Sequence, residues 1–129
     1  MNLNNIALQA GQVSEIVKAI KANQLEDNST APVYAATITP AITGAFTHVQ
    51  VGVLTGNVTI GAPTGSFAVG SRLSMGFTQD ATGGRTVTWN AVFAASANSG
   101  STASHKAATE FVYDGSRWVQ YGGALTFKA

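Results

Sequence analysis

From Pro32 to its end the chain is a succession of short runs rich in β-branched and aromatic residues, most of them bounded by Gly, Pro, Asn or Asp. The runs are 33–39, 46–54, 57–62, 72–79, 85–93, 108–114, 117–122 and 124–129, and none repeats its apolar residues at helical spacing. Several alternate with period two, so that one face is apolar and the other polar. Phe46, His48, Gln50 and Gly52 lie opposite Thr47, Val49, Val51 and Val53, and Val87, Trp89 and Ala91 lie opposite Thr86, Thr88 and Asn90. Many short strands with regular turn signals and no interleaved helices predict a mainly β fold, an antiparallel β-sandwich or jelly-roll-like domain over 32–129. The stretch 94–105, made of small residues, is expected to be mobile unless a neighbour holds it.

The first 31 residues are of another kind. Val13, Ile16, Val17 and Ile20 recur at i, i+3, i+4 and i+7, which predicts a short amphipathic helix stopped by Asn28, Ser29 and Pro32. Ahead of it, Leu3, Ile6 and Leu8 are scattered among Asn residues, as in an arm that gains order by docking. A helix of three or four turns is marginal alone in water. The segment 1–31 is therefore expected to pack on its own domain, on its copies in an oligomer or on a partner.

Composition narrows the function. Of 129 residues only 10% are charged and the formal net charge is +1, so no broad field draws in nucleic acid or an anionic membrane. No apolar run is long enough for a membrane helix, and the N-terminus lacks the basic start and apolar stretch of a signal peptide. Synthesis and folding in a cytoplasm are expected on that ground. The absence of cysteine excludes disulfides, thiolate chemistry and Cys-based zinc sites.

Catalytic patterns are missing as well. His48 and His105 stand far apart with no metal-ligand spacing, although three copies of one histidine around a trimer axis would make a metal site. Of the carboxylates, Asp80 and Asp114 sit in turn sequences, where Asp accepts backbone N–H groups, and a glycosidase pair of Asp80 and Glu110 would need them to face each other across a cleft. There is no G-x-S-x-G elbow, and 61–70 has the glycines of a phosphate loop without its Lys-Ser/Thr ending. The expectation is a protein with no enzyme activity, cofactor or metal.

Two turn sequences stand out. "QDATGGR" holds Asp80, Gly83, Gly84 and Arg85 shortly before Trp89; "YDGSRW" holds Asp114, Gly115, Arg117 and Trp118. A Gly pair permits the positive φ angles of tight turns, and each Trp is placed to enter a small aromatic core. The arginines are expected to stack on a Trp or to bridge Asp80 and Asp114. The grouping is read as structural.

The run "GSRLSMGFTQDATGGRTVTWNAVF" followed by "TEFVYDGSRWVQ" resembles a module of tailed-bacteriophage virion proteins, most closely over residues 70–121. The resemblance implies a non-enzymatic, commonly trimeric β-domain displayed on the particle. It also implies that Asp80, Gly83, Gly84, Arg85, Trp89, Asp114, Gly115 and Trp118 are fold signposts. Where the module alternates regularly, this sequence has Met75–Gly76, which suggests a bulge. The chain's small size and its N-terminal arm favour a head decoration (cement) or head-fibre protein that binds the major capsid protein, or another virion protein, through Leu3, Ile6, Leu8 and the helix stripe. The alternative is a tail-fibre or receptor-binding protein whose loops, "ANSGSTASH" and "GAPTGS", meet a host-surface glycan with Tyr34, Tyr113, Tyr121 or a Trp stacking on the sugar.

Overall fold

The structure is a computed structural model that describes residues 28–129. The arm residues Leu3, Ile6 and Leu8, the stripe Val13, Ile16, Val17 and Ile20, and the helix expected there lie outside the described residues.

Among the described residues all regular structure is strand: β1 (Ser29–Thr30), β2 (Thr37–Ile38), β3 (Ala41–Ile42), β4 (Phe46–Gln50), β5 (Val58–Ile60), β6 (Thr64–Gly65), β7 (Arg72–Thr78), β8 (Val87–Trp89), β9 (Phe93–Ala94), β10 (Lys106–Tyr113) and β11 (Trp118–Tyr121). The pairing is not that of an antiparallel sandwich or jelly roll. β1, β4 and β7 stack in parallel, β2, β5 and β8 do the same, and β6 lies parallel on β3. The first two passes of the chain each contribute one short strand to each of three sheets, a third adds β7 and β8, and successive passes lie on one another in a β-solenoid-like stack. Antiparallel pairing enters only at the last pass, where β10 closes on β7 and folds back into β11. β9 then completes a six-stranded sheet of order β1-β4-β7-β10-β11-β9.

Parallel and antiparallel neighbours satisfy the same alternation. Period-two alternation fixes which face of a strand is buried and is silent about the neighbour. Parallel neighbours need a connection of a dozen or more residues, usually a helix; here the connection from β4 to β7, residues 51–71, is itself strand and turn in the other two sheets. The buried faces nevertheless follow the alternation: Thr47, Val49 and Val51 point inward, with Leu73, Met75 and Phe77 beside them. Register stacks them into ladders, Thr47–Leu73–Phe111 and Val49–Met75–Thr109 in one wall and Ile38–Ile60–Trp89 in another. Fully burying each large apolar side chain contributes about 1.5–3 kcal/mol. Val53 departs from the pattern. β4 ends at Gln50, the chain turns, and Val53 is exposed while Leu54 takes the buried place.

Aromatic residues fill the closed end. Trp89, Phe93 and Phe111 meet at centroid distances of 4.9–5.3 Å, with Phe77 at 6.0 Å from Trp89. Phe67, Tyr113 and Trp118 form a second group at 4.7–5.2 Å. Leu125 and Phe127 seal the end without forming a full strand; the 124–129 run makes only isolated bridges, Thr126 to Ser99 and Lys128 to Lys106. The small-residue stretch 94–105 is tied in by the rest of the fold. Asn98 accepts the Val87 N–H at 3.0 Å, Ser101 accepts that of Gly84 at 2.7 Å, and Asp80 accepts that of Ser104 at 2.9 Å. Met75 and Gly76 form no bulge, since both stay in register with Val49 and Gln50 on one side and with Thr109 and Ala108 on the other.

Candidate binding face

The residues of the two turn sequences organise the backbone. Asp80 Oδ1 accepts the N–H groups of Thr82 at 3.2 Å and Gly83 at 2.9 Å, and Oδ2 takes Arg85 Nη2 at 2.8 Å. Behind this turn lies Gln79, which sequence reasoning passed over. It is 1% exposed, and its amide exchanges two hydrogen bonds with the Arg85 backbone. Asp114 Oδ1 accepts the N–H groups of Ser116 and Arg117 at 2.8 and 2.7 Å, across a Gly115 with positive φ. Arg117 does not bridge Asp114 through its side chain; its guanidinium donates to the Phe93 carbonyl at 3.0 Å, tying the β10–β11 turn to β9. Trp118 is 1% exposed. Trp89 is half-buried, and its indole N–H is shielded from solvent without a hydrogen-bond partner.

The Arg85 guanidinium and the turn N–H groups hold the Asp80 carboxyl below its ordinary range, and the N–H groups of Arg117 and Ser116 do the same for Asp114. A carboxylate whose folded-state value is depressed contributes stability in full above its unfolded value, and that contribution is lost as pH falls through the folded one. Stability against urea should therefore be flat from pH 7 to 5 and decline below about pH 4. Asp80→Asn should be destabilised at pH 7 and lose less than the parent on acidification, as measured by urea midpoints across pH.

The widest sheet, six-stranded, leaves its outer face exposed. Register sets its side chains in rows across the strands. The first row is Phe46, Arg72, Val112 and Val119; the second is His48, Ser74, Glu110 and Tyr121; the third is Gln50, Gly76 and Ala108; the fourth is Thr78, Lys106 and Lys128. Successive rows are about 6.8 Å apart, two residues along a strand. His48 is fixed on both ring nitrogens, Nδ1 at 2.9 Å from Ser74 Oγ and Nε2 at 3.1 Å from Gln50 Oε1. It is thus a member of this face. His105 sits in the turn before β10, its carbonyl accepting the Gln79 N–H. Among the described residues no three His, Cys, Asp or Glu side chains converge on a point a metal would take.

The third row is low because its members are small. Gly76 lies beneath the Gln50 amide; a Cβ there would stand 2.8 Å from Gln50 Nε2. On either side of Ala108 the surface dips into two depressions of about 310 Å³ each, one bordered by Gln50, Thr78 and Lys106, the other by Ser74, Glu110, Tyr121 and Gly123. Together they make a trough across the strands, walled by the second and fourth rows. Tyr121 is 37% exposed on this wall. Hydrogen bonding toward the Glu110 carboxylate pushes its phenol up, so it stays protonated, and the Arg72 guanidinium lies 5.9 Å from the ring centroid. The other candidate aromatics are engaged: Tyr34 Oη donates to the Asn57 carbonyl, Tyr113 is part of the aromatic cluster, and Trp118 is buried.

The fold thus defines a β-solenoid-like domain with an antiparallel closing strand pair and a broad exposed face on its six-stranded sheet. A family model described as "Putative phage tail fibre C-terminal domain" matches residues 38–118, well over half of the chain. The chain belongs to this family, and is therefore a structural, virion-associated phage protein. Both turn sequences lie within the matched span. The match favours a tail-fibre role over head decoration or cement. No curated protein and no solved structure matches the chain.

Proposed function

We propose that this domain is a host-facing, non-enzymatic part of a phage tail fibre, and that it holds a bacterial surface glycan against the outer face of its six-stranded sheet. The family match carries the tail-fibre assignment; the trough supports the choice of ligand. Saccharide recognition asks for a rigid, solvent-facing array of donors and acceptors beside an aromatic ring. His48, Gln50, Ser74, Glu110 and Tyr121 supply that array on strands, where position is better defined than on loops. Recognition is assigned to this face in place of the loops, because 94–105 is tied down by its hydrogen bonds. A binding role without catalysis is supported by the use of the carboxylates: Asp80 and Asp114 hold turns, and Glu110 faces a tyrosine.

Purified chain added to host cells should occupy their receptors and slow adsorption of the phage, and gold-labelled antibody to the chain should decorate tails. Label over the heads with unimpaired adsorption would overturn the proposal and return the protein to the capsid.

A further inference from the structure

The fourth row of the binding face holds a charge arrangement that recognition of a neutral sugar would not require. The C-terminal segment sets Lys128 directly opposite Lys106 in an antiparallel bridge, and the two residues exchange both backbone hydrogen bonds at 2.8 Å. A pair of this kind holds its Cα atoms about 5.5 Å apart and sends both side chains to one face. That face is the outer one, for Lys106 and Lys128 are exposed while their neighbours Ala107 and Phe127 are buried. Like charges placed opposite each other weaken a ladder. The one ion pair among the described residues joins Arg85 to Asp80 and leaves both lysines outside it. Glu110 is four residues along β10, about 13 Å from Lys106, on the far wall of the trough. The fold therefore maintains two adjacent cations beside a depression, at some cost to its own stability.

We propose that Lys106 and Lys128 form an anion subsite of the binding face, which takes the oxyanion of an acidic sugar, a uronate carboxylate or a phosphate substituent, in a bacterial surface polysaccharide. The proposal rests on the glycan reading above and adds the charge of the ligand and its direction. Lysine is a flexible point charge with three donors and suits an oxyanion of either geometry. The Gln50 amide and the Thr78 hydroxyl border the same depression and can bind the sugar's hydroxyl groups. Glu110 on the opposite wall repels a second anion, so the acidic sugar lies over the lysines and a neutral one lies beside Tyr121.

The test uses the full chain and polysaccharide extracted from the surface of the host bacterium, in three forms: native, carboxyl-reduced, and dephosphorylated. Affinity is measured by calorimetry at low and at moderate salt. The parent chain should bind the native form, weaken with salt because exposed charges are screened, and bind one treated form about tenfold more weakly; which form it is identifies carboxylate or phosphate. The variant Lys106→Gln/Lys128→Gln should show a similar loss on the native form and little salt dependence. Its urea midpoint should be unchanged or higher, because the repulsion is gone, while Lys106→Arg/Lys128→Arg should keep most of the affinity. Equal affinity for all three forms, or an unaffected double Gln variant, would overturn the anion subsite and leave glycan binding standing. Failure of the parent chain to bind any form would overturn the glycan reading and the subsite with it.

Discussion

Replacing Trp118 with Ala should cost about 3–5 kcal/mol, the usual range for deleting a large buried aromatic, and lower the urea midpoint accordingly. Trp118 is 1% exposed at the start of β11, stacked with Phe67 and Tyr113, and its backbone N–H is held by the Val92 carbonyl at 2.7 Å. β11 joins β9 to β10 in the six-stranded sheet, so the side chain supports three strands of the closed end. Domains of this size are stable by about 5–15 kcal/mol in all, and the loss would take a large share of that. Urea unfolding followed by tryptophan fluorescence and circular dichroism would read it. A midpoint near that of the parent would show that the closed end folds independently of the stack. A midpoint that falls with unchanged slope would show one cooperative unit.

The second large effect separates two adjacent glycines. Gly83 and Gly84 both have positive φ, +70° and +77°, but their surroundings differ. A Cβ on Gly83 would stand 2.6 Å from the Ala103 nitrogen and 2.7 Å from the Ser101 carbonyl oxygen, backbone atoms that cannot turn aside; a Cβ on Gly84 meets nothing within 4 Å. Gly83→Asn should therefore be destabilised by at least about 2–3 kcal/mol, through displacement of the 101–104 segment from the Asp80 turn as well as strain. Gly84→Asn should lose no more than about 1 kcal/mol, since Asn tolerates the left-handed region. Paired melting curves of the two variants would decide it, and equal losses would show that φ alone dictates the glycines.

Only a small part of the outer face is legible in the sequence. The alternation placed His48 and Gln50 on one face of a strand, and that face is the outer one. What could not be read was the company they keep. Ser74 meets His48, and Gly76 lies under Gln50, because β7 stacks in parallel on β4 across residues 51–71. The Met75–Gly76 pair suggested a bulge because a glycine in a strand often marks one; its role here is to leave room for a side chain from the next strand, which no local pattern reveals. Gln79 resembled any polar residue at the end of a strand, and its burial follows from the turn of residues 80–85 folding back over it.

The sequence by itself determined the strand-rich class, the inward residues of β4, and the use of Asp80 and Asp114 as acceptors for turn backbone. These depend on period-two alternation and on hydrogen bonds that span a few residues, and both are local. Only the tertiary structure decided that the strands stack in parallel as a solenoid, that Arg117 reaches the Phe93 carbonyl and not Asp114, and that Lys106 and Lys128 stand side by side. Each of these depends on which distant segments are neighbours. Alternation leaves that open, because the same buried face satisfies a parallel and an antiparallel partner equally well, and only the packing of the whole core chooses between them.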